Sequence, residues 1–396
     1  MAKPMISADS HITEHPDTYR KHIESALRER APHVAHDDAG GDVYVIPGLT
    51  QGALPMGLIA AAGKRPEDIR PSGRFEEWHR GGWDPEARLA DQDRDGVRAE
   101  VLYPTVGLVL CRHPDLDYKQ ACMHAYNRWL AEYCSAHPDR LLGVGQTAVR
   151  TPADGIEDLR GIKALGLRGV LLPSRPGEAD WDSPIYDELF EAAIALRLPV
   201  SFHILTDPQD AFPKRGPVMN FAVGIIRSNQ DLLAMLVYGG VFERHPRLRV
   251  VCVEADASWA PHWMHRMDHY YDRHRYMRTL ELARLPSEYF REHVYLTFQD
   301  DWPAFGMMGL LNPQRLMWAN DFPHSDSTWP WSQELLARHA AHLSEAGATS
   351  SCTTTRRRST ASRAPEGASR RRSGRRRRWR PGRAGPSPRG AAWRAG

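Results

Sequence analysis

The chain has 396 residues, 41% of them apolar, which is enough for one large domain with a buried core and excludes a chain disordered throughout. Its apolar runs, such as LRGVLLP at 167–173 and LRVVCVE at 248–254, fall short of the roughly 18 residues of a membrane-spanning helix, and the opening MAKPMISADSH lacks the apolar stretch of a secretory signal. The net charge of +3 hides two unlike parts: 15 of the 52 Lys and Arg but only one of the 49 Asp and Glu lie in 349–396, a balance of +14, which leaves the first 348 residues at −11.

Taken in chain order, short β-rich runs occur at Met5–Asp9, Arg98–Tyr103, Leu141–Ala148, Leu167–Leu172, Pro199–Ile204, Leu248–Glu254, His293–Phe298 and Arg315–Ala319. Between them lie helical patterns. Three open on a capping residue followed by proline: Asp84-Pro85, Thr151-Pro152 and Ser183-Pro184. Eight alternations of strand and helix predict an α/β fold, a (β/α)8 TIM barrel over residues 1–348. A doubly wound sheet is the rival, but no Gly-x-Gly-x-x-Gly follows an early strand. Long excursions at 10–83 and from Thr206 to about Pro217 are expected over the barrel mouth, where strand-to-helix loops surround an active site.

Polar residues close several of these strands. Asp9 and His11 end the first, two apart and therefore on one side, a carboxylate and an imidazole spaced for one metal ion. His203 ends the fifth strand, where a lone histidine is usually a satisfied core residue. Glu254 ends the sixth after six residues without an acid, so it needs a partner such as a metal, a histidine or an arginine, with Arg266 a candidate. Asp321 follows the eighth in WANDFPHSDSTWPW, where a turn cap is the simpler role. Together, the five fall on the face that carries barrel active sites. A rival histidine set, His262, His265 and His269, shares one helical face, but that helix reads more simply as packing through Trp263, Met264, Met267 and Tyr271.

Five cysteines, an odd number with no Cys-x-x-Cys pair, argue against a disulfide framework or a cysteine-built zinc site, and the cytoplasm is the expected compartment. Residues 349–396 contain no Ile, Leu, Val, Met, Phe or Tyr and are expected to form a disordered, Arg-rich tail. Such a tail can bind nucleic acid by counterion release. Its residue types are mostly those of GC-rich codons, which fits a gene read out of frame. The shifted frame from Ala348 to Arg356 can encode Asp-Leu-Val-Leu-His-Asp-Asn-Ala.

The segments ISADSHITE at 6–14, WDPEARLADQDRDGVRAEVLYP at 83–104, PVSFHI at 199–204, FERHPRLRVVCVEADASW at 242–259 and MWANDFPHSDSTWP at 317–330 resemble the amidohydrolase-related family, which includes aminocarboxymuconate-semialdehyde decarboxylase-like enzymes. The resemblance implies a distorted (β/α)8 barrel with a divalent metal held by Asp9, His11, His203 and Asp321. A bridging lysine at the end of the fourth strand, usual in two-metal members, is missing from LRGVLLPSRP, so one ion is expected. Family decarboxylases have a catalytic histidine where this chain has Glu254. The resemblance also implies a last helix ending in His-Asp-Asn-Ala, which the shifted frame supplies.

The function expected is metal-assisted hydrolysis of a small aromatic or cyclic substrate. One divalent ion, zinc or manganese, activates a water, with Asp321 as proton acceptor and Glu254 as a further ligand or orienter. Non-oxidative decarboxylation of an aromatic or enoic acid is the alternative, and nucleic-acid binding through the tail is a reading from another class. Trp78, His79, Trp83, Trp302, His324 and Trp329 fall in predicted mouth loops and are expected to bind substrate. The expected partner is a small molecule in preference to a nucleic acid, with no membrane, and a homodimer is the assembly considered.

Overall fold

The computed structural model describes residues 5–37, 41–49, 53–207, 216–341 and 343. Its strands are β1 (Met5–His11), β2 (His33–Asp37), β3 (Gly41–Val45), β4 (Ala53–Pro55), β5 (Val97–Tyr103), β6 (Leu141–Gln146), β7 (Gly169–Leu171), β8 (Val200–His203), β9 (Val250–Val253), β10 (Val294–Phe298) and β11 (Leu316–Trp318). Eight of them pair in parallel in the order β1-β5-β6-β7-β8-β9-β10-β11. The sheet curls back on itself, since Asp321 N donates to the Asp9 carbonyl at 3.1 Å and His11 N to the Phe322 carbonyl at 2.7 Å. The fold is the TIM barrel expected from the alternation, and all eight predicted strands are in place.

Side chains alternate across these strands. Val250 and Cys252 belong to the large core between strands and helices. Val251 and Val253 join Tyr103, Leu108, Val144 and Leu171 in a separate interior cluster. Deeper polar pairing supplements this packing: the Tyr103 hydroxyl and Ser201 Oγ lie 2.9 Å apart.

Two of the three predicted helix starts are capped as expected. Asp84 accepts from Glu86 N and Ala87 N at the head of the helix Pro85–Asp95, and Thr151 accepts from Asp154 N at the head of Pro152–Ala164. At Ser183 the outcome differs. The chain first makes a tight turn, with Tyr186 N bonded to the Ser183 carbonyl at 3.2 Å, and the helix begins only at Asp187.

The excursion at 10–83 holds what the sequence reading left out, a small antiparallel sheet in the order β2-β3-β4. Its strands are only five, five and three residues long and lie within a stretch rich in Gly, Pro and His, so they read as part of one excursion. Most of the second excursion, and residues 349–396 with their possible role and origin, lie outside the described residues. Among the described residues no helix is long and apolar enough to cross a membrane.

A buried network locks the closing seam. Asn320 Oδ1 accepts from Ser7 Oγ at 2.9 Å and Ser10 Oγ at 2.8 Å, while its Nδ2 donates to Asp95 and Glu100. Glu100 is paired with Arg88 at 2.5 Å, and both are wholly buried. Arg88 donates further to the carbonyls of His11 and Phe322, one on each side of the seam.

Candidate metal centre

Register brings the polar strand ends together. His11 pairs with Tyr103, and the carbonyl of the next residue, Pro104, lies 2.8 Å from His11 Nδ1. His203 pairs with Val253, the residue before Glu254, and His203 Nδ1 lies 2.9 Å from the Ile204 carbonyl. A carbonyl only accepts, so each Nδ1 carries the hydrogen and each Nε2 presents a lone pair, an assignment made from the bonding pattern. The two Nε2 atoms stand 3.3 Å apart.

Carboxylates close around them. His11 Nε2 lies 3.5 Å from Asp9, 3.6 Å from Glu254 and 3.3 Å from Asp321, and His203 Nε2 lies 3.1 Å from Glu254. Asp9 and Asp321 are buried with both carboxylate oxygens lacking a hydrogen-bond partner, and Glu254 Oε2 is in the same state. Buried anionic oxygens without partners are costly unless a cation meets them. Asp9, His11, His203 and Glu254 offer ligand atoms within 4.8 Å of one another, and so do His11, Glu254, Asp321 and His324. Nitrogen and oxygen donors of this kind fit a divalent ion such as zinc or manganese.

The backbone is bent to make this possible. Glu254 and Asp321 have φ of 57° and 54°, left-handed values rare for residues with a side chain and costing about 1–3 kcal/mol each. Glu254 is held there by its N–H on Thr297 Oγ1 at 2.8 Å, and Asp321 by the seam bond to Asp9.

The carboxyls also differ in their protons. Burial pushes Glu254 up, but the charges and hydrogen bonds of His203 and His11 outweigh it and hold the carboxyl well below its usual range. Asp321 moves the other way: burial and then the Glu254 charge push it well above the usual carboxylate range. Glu254 and Asp9 together outweigh burial at His203 and raise that imidazole.

An amidohydrolase family model matches residues 9–355. The chain belongs to the amidohydrolase family. A 2-amino-3-carboxymuconate-6-semialdehyde decarboxylase of Dictyostelium discoideum is 25% identical over 257 residues, 63% of this chain and 69% of that protein. An amidohydrolase structure from Mycobacterium avium subsp. paratuberculosis superposes with a TM-score of 0.70 at 18% identity, covering 89% of this chain and 97% of the other. A 5-carboxyvanillate decarboxylase from Novosphingobium aromaticivorans, solved with manganese and 4-hydroxy-3-methoxy-5-nitrobenzoic acid, has a TM-score of 0.64 at 20% identity, covering 88% and 93%.

Within this amidohydrolase, Asp9, His11, His203, Glu254 and Asp321 meet as one cluster. Arg266 does not pair with Glu254; its guanidinium lies 4.3 Å over the Tyr270 ring. His262, His265 and His269 are exposed on a helix that packs through Met264, Met267 and Tyr271. His324, expected from its loop to touch substrate, sits against Asp321 with Nδ1 at 3.1 Å and stacks on His11.

The other aromatic residues have their own partners. Trp78 is buried beneath Lys64, and Trp83 lies against Phe75. His79 bonds to the Ala62 carbonyl and meets Phe322 and Trp329 edge-on. Trp329 donates to the Asp91 carbonyl, while Trp302 is 66% exposed. Two residues around the cluster escaped the sequence reading: Thr105, which has no distinguishing neighbour in the chain, and Asn320, whose place directly before Asp321 was a usable signal.

Proposed function

We propose that this amidohydrolase is a metal-dependent, non-oxidative decarboxylase of a small aromatic or enoic acid. The observation that carries the reading is the convergence at the barrel mouth of two imidazole Nε2 atoms, the buried and unpartnered carboxylates of Asp9 and Asp321, and the unpartnered Glu254 Oε2. The decarboxylase relative supports decarboxylation over the hydrolysis put first on sequence grounds. Asp9, His11, His203 and Asp321 would hold a divalent ion, which when bound would draw electron density from the acid.

The chain's own groups divide the remaining work. Glu254 and Asp321 take different roles. Glu254 Oε2, 3.1 Å from His203 Nε2 and 3.6 Å from His11 Nε2, orients both imidazoles. Asp321 is placed to pass on the proton delivered to the carbon from which carbon dioxide leaves. The reaction balances, the acid anion plus one proton giving the decarboxylated product and carbon dioxide.

Hydrolysis would use the same residues, with Asp321 taking a proton from water. The products separate the two. Manganese-loaded protein incubated with a panel of hydroxybenzoic, methoxybenzoic and enoic acids is expected to release carbon dioxide, and a chelator to stop it. Carbon dioxide from none of them, with turnover of an ester or lactone panel, would replace this reading with the hydrolytic one.

A further inference from the structure

His324 enters the cluster from the mouth side. Its side chain is 15% exposed, against 0–1% for Asp9, His11, His203 and Asp321. The ring stacks on His11 with centroids 3.9 Å apart, which fixes its plane. Its Nε2 lies 3.0 Å from Thr105 Oγ1. That hydroxyl has one hydrogen, and it is directed at the Ile12 carbonyl, 2.7 Å away. Thr105 Oγ1 therefore accepts from His324, and Nε2 is the protonated nitrogen.

The consequence falls on the other side of the ring. In neutral His324, Nδ1 is left with a lone pair and faces Asp321 Oδ1 at 3.1 Å, an oxygen that itself has no hydrogen-bond partner. Two acceptors placed head to head repel unless a proton or a cation lies between them, and the ligand atoms of His11, Glu254, Asp321 and His324, all within 4.8 Å of one another, leave room for the cation. The same logic holds at His11 and His203, where a backbone carbonyl takes the Nδ1 hydrogen and frees Nε2. In His324 the roles of the two nitrogens are exchanged, and the hydroxyl of Thr105 does what a carbonyl does for the other two. Such outer partners fix the tautomer of metal-binding histidines.

We propose that His324 is a third imidazole ligand of the ion, bound through Nδ1 in the resting protein, with Thr105 as the positioning residue that selects its tautomer. The proposal rests on the metal reading above. It assigns His324 to the ion itself rather than to substrate.

X-ray absorption at the manganese edge of the full-length, manganese-loaded protein counts imidazoles directly. Three are expected in the unmodified chain and two in His324→Gln, with the manganese dissociation constant raised at least about 10-fold in the variant. Thr105→Val is expected to weaken manganese binding in the same direction and Thr105→Ser to restore it. Two imidazoles in the unmodified chain would overturn the proposal and leave the metal centre standing, whatever the folding of the variants. An unchanged dissociation constant in a folded His324→Gln would overturn it equally. Failure of the unmodified chain to retain manganese would remove the metal reading, and this inference with it.

Discussion

His11 and His203 meet nitrogen to nitrogen, 3.3 Å apart, across the mouth of the barrel, and each has its other ring nitrogen on a backbone carbonyl. In the neutral rings neither has a hydrogen to give the other. The pair is compatible with its surroundings only when a cation or an added proton lies between, which makes metal content the first quantity to measure. Elemental analysis is expected to find about one divalent ion per chain, and His203→Ala or Asp321→Ala to lose most of it. Full retention in both variants would dismiss the assignment.

Glu254 is the position where family decarboxylases are expected to carry histidine. Glu254→Gln keeps the shape and removes the charge that touches His11 and His203. Turnover per folded molecule is expected to fall about 10- to 100-fold with little change in Tm, as when a group orienting metal ligands is lost. A lower Tm at unchanged turnover would reduce Glu254 to a packing role.

Arg88 and Glu100 test the seam. Both are buried, and Arg88→Met would leave the Glu100 carboxylate without its main partner. Breaking such a pair from one side costs about 3–5 kcal/mol. Urea unfolding is expected to show a loss of that order. A variant as stable as the parent would mean that Asn320 and Gln92, which also donate to Glu100, carry its charge unaided.

Glu14 gives a pH dependence. Burial raises its carboxyl from 4.5 to about 6 despite backbone bonds from Val106 and Gly107 that lower it. Below pH 4.5 folded and unfolded chains both hold this proton, between 4.5 and about 6 only the folded chain does, and above that neither. The contribution is therefore complete below 4.5 and is lost as pH rises through 6, by about 2 kcal/mol. Denaturation at steps from pH 4.5 to 7 is expected to show a shallower fall in Glu14→Gln than in the parent. Parallel curves would assign the slope to other groups.

Much of this fold is legible in the chain because its signals are local. Eight apolar runs alternate with helical periodicity, and strand direction follows from the connections between them. The differences are where partners elsewhere decide. Gly169–Leu171 pairs over three residues although the apolar run is six long, because the neighbouring strands set how far the ladder extends. At the site, Asp9, His11, His203, Glu254 and Asp321 could be found one by one at strand ends. Thr105 could not. Its importance comes from folding, which brings the end of β5 against the loop after β11, 219 residues away, and no pattern in the sequence around Thr105 registers that distance.

The bonds joining Asp9 to Asp321 and His11 to Phe322 give the barrel an unusual coupling of shape to chemistry. The join between first and last strand is also the place where the polar ligands assemble, so an opening of that join separates the ligands at the same moment. An ion held by residues on both sides of the join would then act as a clasp on the cylinder. Amide exchange at His11 and Asp321 should slow on metal loading more than at β6 or β7 on the far side. A chain ending before β11 would keep most of its secondary structure yet lack any partly working centre, since half a clasp holds nothing.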